Sequence, residues 1–483
     1  AATLYPATGG SGFFDAIKFF WDFTSYRPVL VLYVPLTHEV FGAHFTAHLA
    51  WSIGLAVAMS ASLYLLLRTL RMEPLHAGLI SVLVLLFPQS DSTRLWSTAS
   101  MTSLAITIFL LGVVVALHAF EARGRRALLL HAASMALYLL SVMTYEVTAP
   151  AALSVIVLYA LRFPLRVVWK RWIADVGLIG LTLLLVTRSG NHEIQTFAQM
   201  RHHVKLIADQ GVTVFARTVV PFGDPARWLV AGVVAAILVA ALVVWARTRD
   251  RMLRRWLVVA GVAVWGVVVG YAMFIPADAY YSPLTAGLGN RTNVLASIGL
   301  VTLVYSAAII AGTLLARGMR AERRSPTLLA AGAAALVAIV IGVGYAQDLE
   351  HDIDRWDTAY QMENSVITVL RGTLKHPPHG STIYTFQAPG FYTPGVPVFS
   401  ASWDLNGAVK MHFHDRTLAA FPVLAPLACG ATTVTSTVGM PPASYGNAVF
   451  VNIASGQAEQ IMSRKQCESA LKRFRPGVFE AAR

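Results

Sequence analysis

The chain has 483 residues, of which 56% are hydrophobic and only 13% charged, against about 25% charged in soluble proteins. That composition excludes an ordinary soluble domain. Repeated apolar runs of roughly 20 residues, enough to cross ~30 Å of hydrocarbon, predict an all-α polytopic membrane bundle.

The net charge of +13 acquires meaning only once it is located. Five short hydrophilic breaks, Arg68–Glu73, Glu121–Arg126, Arg162–Arg171, Arg247–Arg255 and Arg317–Arg324, hold 18 of the 38 basic residues and only four of the 25 acids. The other breaks and the tail balance, and Asp175 lies alone inside an apolar run. An excess confined to alternate loops is the positive-inside signature. A nucleic-acid patch would gather on one soluble surface instead, so nucleic acid is excluded as a partner.

In chain order, the apolar patterning predicts ten crossings, at 44–68, 76–88, 97–120, 127–142, 146–161, 172–187, 228–246, 256–275, 292–316 and 326–346. With the basic loops inside, both ends of the chain lie outside. The outward pieces are a first loop, 1–43, then 89–96, 143–145, 188–227, 276–291 and the tail from 347. An outward start without its own signal leads us to expect a further membrane helix upstream. Val29–Phe41 is apolar but interrupted by Pro35 and too short to span, so it reads as interfacial or re-entrant. Trp21, Trp96, Trp169, Trp172 and Trp228 fall near predicted helix ends, where tryptophans anchor at the headgroups.

Residues 347–483 read as a small soluble α/β domain. Asp348–Leu374 continues the last helix; strands are expected at Thr382–Phe386, Val396–Trp403, Ala408–Phe413, Thr432–Val438 and Ala448–Ile453, and a helix at Gln457–Phe474. Cys429 and Cys467 are the only cysteines, and on an oxidising outer face a disulfide between them is one of two open outcomes.

Acids beside the membrane on its outer side are the informative residues, because a charge there is costly. Asp15 and Asp22 are seven apart and share a helical face two turns apart. Trp21, Phe23 and Tyr26 flank Asp22 and would desolvate it toward general-base range, unless it is a solvated surface carboxylate. Asp91 sits in a very short outward turn, as a functional acid, a helix cap or a partner of Arg94. Glu146 stands at the mouth of a helix that Pro150 would kink. Arg291, after Gly287 and Gly289, and Arg27 could each fork onto a phosphate or snorkel to the interface. His44 and His48 are one turn apart, with His38 and Glu39 upstream, but Gly42 breaks the HExxH pattern. His412 and His414 alternate on an expected strand; hydrogen-bonded structural histidines are the commoner case. His192, Arg201, His202 and His203 make the longest outward loop cationic at suitable pH. Asn290-Arg291-Thr292 fits a glycosylation sequon.

The string Asp22-Phe23-Thr24-Ser25-Tyr26-Arg27-Pro28, the following apolar run to Phe41-Gly42, His48, and the turn Pro88-Gln89-Ser90-Asp91 resemble the first two outward loops of a known group. These are the polyprenyl-phosphate-sugar-dependent glycosyltransferases of the C-type (GT-C) membrane fold, including the protein O-mannosyltransferases. The resemblance covers roughly residues 12 to 160. It implies about 10–11 membrane helices, with 1–346 as the transferase-like domain and 347–483 as an extracytoplasmic domain. It also implies a multi-pass protein of the inner or plasma membrane whose site faces outward. Asp22 would be general base or metal ligand, Arg27 would shape the loop, and Asp91 would stand behind the base; Arg291 is placed at the phosphate by topology alone. Tyr26, Glu146 and His48 join as substrate-binding candidates. A divalent metal, Mg or Mn, serves some members. Implied partners are a polyprenyl-phosphate donor, a glycan, lipid or protein acceptor, and membrane lipids. Such enzymes usually carry an upstream helix and an acidic pair, neither of which is in this chain. Two rival readings are an O-antigen-ligase-like or polymerase-like enzyme using Arg201, His202 and His203, and a non-enzymatic lipid or glycan transporter.

Overall fold

The structure, a computed structural model, describes residues 13–189, 195–277, 281–318, 325–436 and 440–474. They divide into two compact units. One is helical and comprises Thr24–Leu30 and Phe45–Asp352; the other comprises 13–23, Val31–His44 and 353–474. Residues 13–23 and 31–43 of the expected first outward loop are thus counted with the C-terminal unit. The division along the chain falls at Asp352, inside a helix.

The helices are α1 (Phe13–Thr24), α2 (Pro28–Phe41), α3 (Phe45–Thr69), α4 (Pro74–Leu86), α5 (Met101–Glu121), α6 (Gly124–Thr144), α7 (Leu165–Ser189), α8 (Phe197–Val219), α9 (Arg227–Thr248), α10 (Arg251–Ala272), α11 (Asn293–Gly318) and α12 (Ser325–Thr373). Among the described residues seven helices are long and apolar enough to cross a membrane: α3, α5, α6, α9, α10, α11 and α12. Three of the ten expected crossings fall outside that set, each for a visible reason. Helix α4 has 13 residues, about 20 Å at 1.5 Å per residue. The 146–161 segment breaks into a 3-10 turn and two five-residue helices, with Pro150 opening the first of these. Helix α7 carries Lys170, Arg171 and Asp175 in its first half.

Small residues let α10 and α11 touch backbone to backbone. A Cβ added at Gly270 would lie 2.6 Å from Ala296 Cα, and one at Gly299 would lie 2.5 Å from Ala263 O. Asp175 is fully buried but paired: Arg171 Nε donates to it at 2.8 Å and the Tyr159 hydroxyl at 3.0 Å. Arg171 Nη2 also reaches Ser134 of α6 at 2.9 Å, so the charge in the apolar run fastens α7 to α6. The tryptophans separate into two groups. Trp21, Trp169 and Trp228 are exposed, whereas Trp172 donates its indole N–H to Leu153 O at 2.7 Å.

The C-terminal unit holds a four-stranded sheet, order β4-β1-β8-β9. Strand β1 (Thr382–Phe386) pairs in parallel with β4 (Ala419–Pro422) and β8 (Ala448–Asn452); β9 (Gln457–Ile461) runs antiparallel to β8. Two parts of the expected order change. Ala408–Phe413 belongs to a helix, α13 (Ser402–Phe413), because parallel β1 and β4 need a crossover and Leu405 and Val409, one turn apart, bury the same face. His412 therefore ends a helix and His414 caps it at φ +52°, rather than alternating on a strand. Gln457–Phe474 splits into β9 and a helix, α14 (Arg464–Phe474). Only Val396–Pro397 of the expected 396–403 strand is extended; it forms β3 and pairs with β2 (Phe391–Thr393). A separate antiparallel sheet contains β5 (Leu427–Cys429), β6 (Thr433–Ser436) and β7 (Ala443–Ser444). Cys429 and Cys467 form a disulfide, Cα–Cα 6.0 Å, that ties β5 to α14.

Candidate functional site

Pro28 opens α2 and fixes the turn before it, where Arg27 N donates to Thr24 O at 2.8 Å. That turn presents the Arg27 guanidinium to Glu146. Nε donates to Glu146 Oε2 at 2.7 Å and Nη2 donates to Oε1, a two-pronged pair with side chains 15% and 19% exposed. Glu146 is in reach because α6 stops at Thr144: Tyr145 turns extended (φ −159°, ψ 122°) and Glu146–Thr148 forms the 3-10 turn. The Arg27 guanidinium carbon lies 5.0 Å from the Tyr26 ring centre and 4.5 Å from that of Tyr145. Burial opposes the Arg27 cation, but the Glu146 carboxylate outweighs it and holds the guanidinium above its ordinary value.

Arg291 is held in a 3-10 turn, Leu288–Thr292, between two aromatic faces. Its guanidinium carbon is 5.4 Å from the Trp96 ring centre and 5.2 Å from that of Tyr281, which stacks on Phe274 at 6.1 Å. Gly287 has φ +73°, and a Cβ at Gly289 would strike Leu284 at 2.5 Å, so both glycines serve this turn. Side-chain amides fasten it to the turn carrying Asp91. Asn290 Nδ2 donates to Asp91, Ser92 Oγ donates to Asn290 Oδ1 at 2.6 Å, and Asn293 Nδ2 donates to Gln89 O and Leu284 O, each at 2.7 Å. Asp91 is thus fully buried beside the Arg291 turn, and its side chain makes no helix-cap hydrogen bond. Asn290 is fully buried with both ends of its amide engaged, which closes the sequon to modification.

Tyr145 links the two halves. Burial pushes its phenol up to about 12, against the pull of Arg27 and, more weakly, of Arg291. Two guanidiniums, one carboxylate and four aromatic rings, those of Tyr26, Trp96, Tyr145 and Tyr281, therefore share one neighbourhood. Guanidiniums suit a phosphate, and the ring faces suit the apolar side of a sugar.

Of the residues expected from sequence, Arg27, Tyr26, Glu146, Arg291 and Asp91 come together at these linked turns. Asp15 and Asp22 share the exposed face of α1, while Ala16 and Phe20 are buried on its other side. Trp21 is exposed like Asp22, so it does not form the desolvating wall expected around that carboxylate. His48 is half-buried in the first turn of α3, its carbonyl taking the Ser52 hydroxyl at 2.9 Å. Of the cationic loop, His192 lies outside the described residues; Arg201 and His202 are exposed on α8, and His203 is buried with Nδ1 3.3 Å from Ile275 O. Tyr145, Trp96, Tyr281 and Asn290 are the contributors that sequence reasoning missed in these roles. Tyr145 and Asn290 carried one signal, adjacency to a charged residue (Glu146 and Arg291); Trp96 and Tyr281 lacked even that.

No group of three or more His, Cys, Asp or Glu able to hold a metal occurs among the described residues. Asp15 and Asp22 stand about 10 Å apart along α1 at 1.5 Å per residue, too far to clasp one ion with Mg–O bonds of about 2.1 Å.

No protein-family model matches the chain, and no curated protein or solved structure matches it significantly.

Proposed function

We propose that the protein is a GT-C-type membrane glycosyltransferase. It would move a sugar from a polyprenyl-phosphate donor to an extracytoplasmic glycan, lipid or protein. The observation that carries this reading is the arginine–aromatic cluster of Arg27, Glu146, Tyr145 and Arg291 at the ends of apolar helices. A phosphate joined to a sugar and to a lipid needs cations, ring faces and an apolar approach together. In the reaction an acceptor hydroxyl loses its proton to a carboxylate, for which the sequence resemblance alone offers Asp22. The oxygen attacks the anomeric carbon as the bond from that carbon to the phosphate oxygen breaks. Polyprenyl phosphate leaves with the bonding pair, and Arg291 and Arg27 meet the charge that gathers on it. Asp91 acts through Asn290, holding the turn that presents Arg291. The disulfide supports an outward C-terminal unit, since such bonds persist in oxidising compartments.

The test is purified protein in lipid nanodiscs with polyprenyl-phosphate sugar carrying a radiolabel, and membrane glycans as acceptor. Label should move to the acceptor with wild type and not with Asp22→Asn. Full transfer by Asp22→Asn removes the assigned base, and no transfer by wild type from any lipid-phosphate sugar removes the reading.

A further inference from the structure

The C-terminal unit carries its own binding geometry. From β1 the chain crosses through α13 to β4 on one side; it then returns past the β5–β7 sheet to β8 on the other side of β1. The sheet faces are covered differently, by α13 with the end of α12 on one and by α14 with β5–β7 on the other. In open α/β sheets ligands bind outside the carboxyl ends of the strands where the order reverses, which here is the end of β1.

Four features meet at that edge. Gln387, the first residue after β1, is exposed and left-handed at φ +59°, a conformation that disfavours any residue but glycine. The β2–β3 hairpin that follows exposes Phe391 and Tyr392, 44% and 40%. Leu424, after β4, is exposed and packs on Gly390 at the base of that hairpin. Helix α13 starts here with Trp403, 61% exposed, followed by Asp404, half-buried and electrostatically coupled to Glu363 of α12. The basic residues of α13, Lys410 and His412, lie in its last turn at the opposite edge.

We propose that this edge binds a neutral sugar chain, stacked on Trp403 and Tyr392 and hydrogen-bonded through its hydroxyls to Asp404 and Gln387. Exposed rings beside half-buried carboxyls match a polyhydroxyl ligand, which offers apolar ring faces and many O–H donors. A membrane-docking patch would instead set its aromatic residues among Lys and Arg, to meet anionic headgroups. That this sugar chain is the transferase's acceptor follows from the glycosyltransferase reading; that it binds here does not depend on it.

The experiment is saturation-transfer NMR on the full chain in nanodiscs, without donor, using short linear oligosaccharides of mannose, glucose, galactose or arabinose. One of these should receive saturation on its ring protons. Trp403→Ala and Tyr392→Ala should each weaken that binding by about tenfold or more. Met462→Ala, an exposed apolar side chain just after β9, should leave it unchanged. Trp403 and Tyr392 are exposed, so their loss leaves the core intact, and unchanged circular dichroism checks this. No oligosaccharide binding, or binding indifferent to both substitutions, overturns the proposal. So does a nitroxide placed by Trp403→Cys that relaxes with membrane-dissolved oxygen, which would show lipid as the occupant. Sugar binding in a protein that transfers no sugar would retire the enzyme reading and leave this one standing; transfer without binding at this edge would do the reverse.

Discussion

Replacing Glu146 by Gln strips the Arg27 guanidinium of its counter-charge while keeping nearly the same shape. The two groups meet through paired hydrogen bonds and are 15% and 19% exposed, so their charge centres lie about 4 Å apart in a partly dry setting. At an effective dielectric constant near 20 the attraction is about 4 kcal/mol. The amide keeps one hydrogen bond, and the Tyr26 and Tyr145 rings still face the cation, each contributing about 0.5–2 kcal/mol. A net loss of about 2–3 kcal/mol is expected for Glu146→Gln, below the 3–5 kcal/mol seen when fully buried pairs are broken. Adding Arg27→Met removes the stranded charge, so the double variant should recover part of that loss. Thermal unfolding in nanodiscs of wild type, both single variants and the double variant completes the cycle. A Glu146→Gln protein as stable as wild type, or a double variant whose loss equals the sum of the single losses, would refute the reasoning.

Three further outcomes are expected. Burial and the Asp404 charge push Glu363 up to about 8, and burial pushes Asp404 up to about 6, both above their unfolded values. The folded unit then holds protons that the unfolded chain releases, so stability falls as pH rises from about 4.5 to about 8. Glu363→Gln should flatten the Glu363 part of that slope and raise the unfolding midpoint at pH 8; partial exposure reduces a ceiling of about 5 kcal/mol to on the order of 2. A midpoint at pH 8 unchanged by the substitution would contradict this. Gly299→Ala pushes a methyl against the Ala263 carbonyl and should cost about 1–3 kcal/mol by prising α10 from α11, read as a lower melting midpoint; an unchanged midpoint would show that the helices are not so close. Cys429→Ala with Cys467→Ala opens a 38-residue loop, about 4 kcal/mol by chain entropy. Limited proteolysis should then cut the C-terminal unit faster, and identical digestion would count against the bond.

Much of the helical unit was legible because hydrocarbon imposes a length and a polarity that sequence cannot disguise. The failures fall where another constraint overrides apolarity. Helix α4 is largely apolar but ends before Pro88, and the 146–161 run divides into a 3-10 turn and two short helices, the first opened by Pro150. Ala408–Phe413 reads as a strand until the parallel pairing of β1 and β4 demands a helix between them, a constraint set by residues far along the chain. At the candidate site, the charged residues at helix ends were legible one by one as Arg27, Asp91, Glu146 and Arg291. Their pairing was not, because the ion pair spans 119 residues and the Asp91–Asn290 bond spans 199. The exposure of Asp22 was hidden for a local reason: the same helix turns Ala16 and Phe20 inward, and only folding shows which face wins.

The decisive quantity is the affinity of the protein in nanodiscs for polyprenyl phosphate without its sugar, measured by native mass spectrometry for wild type and Arg291→Ala. Arg291 stacks between Trp96 and Tyr281 and would fork onto the phosphate, so its loss should weaken binding by about tenfold to a hundredfold while polyprenol, the lipid without phosphate, binds equally to both. Equal affinity of wild type and Arg291→Ala for polyprenyl phosphate would mean that the arginine–aromatic cluster is not where the donor's phosphate is held.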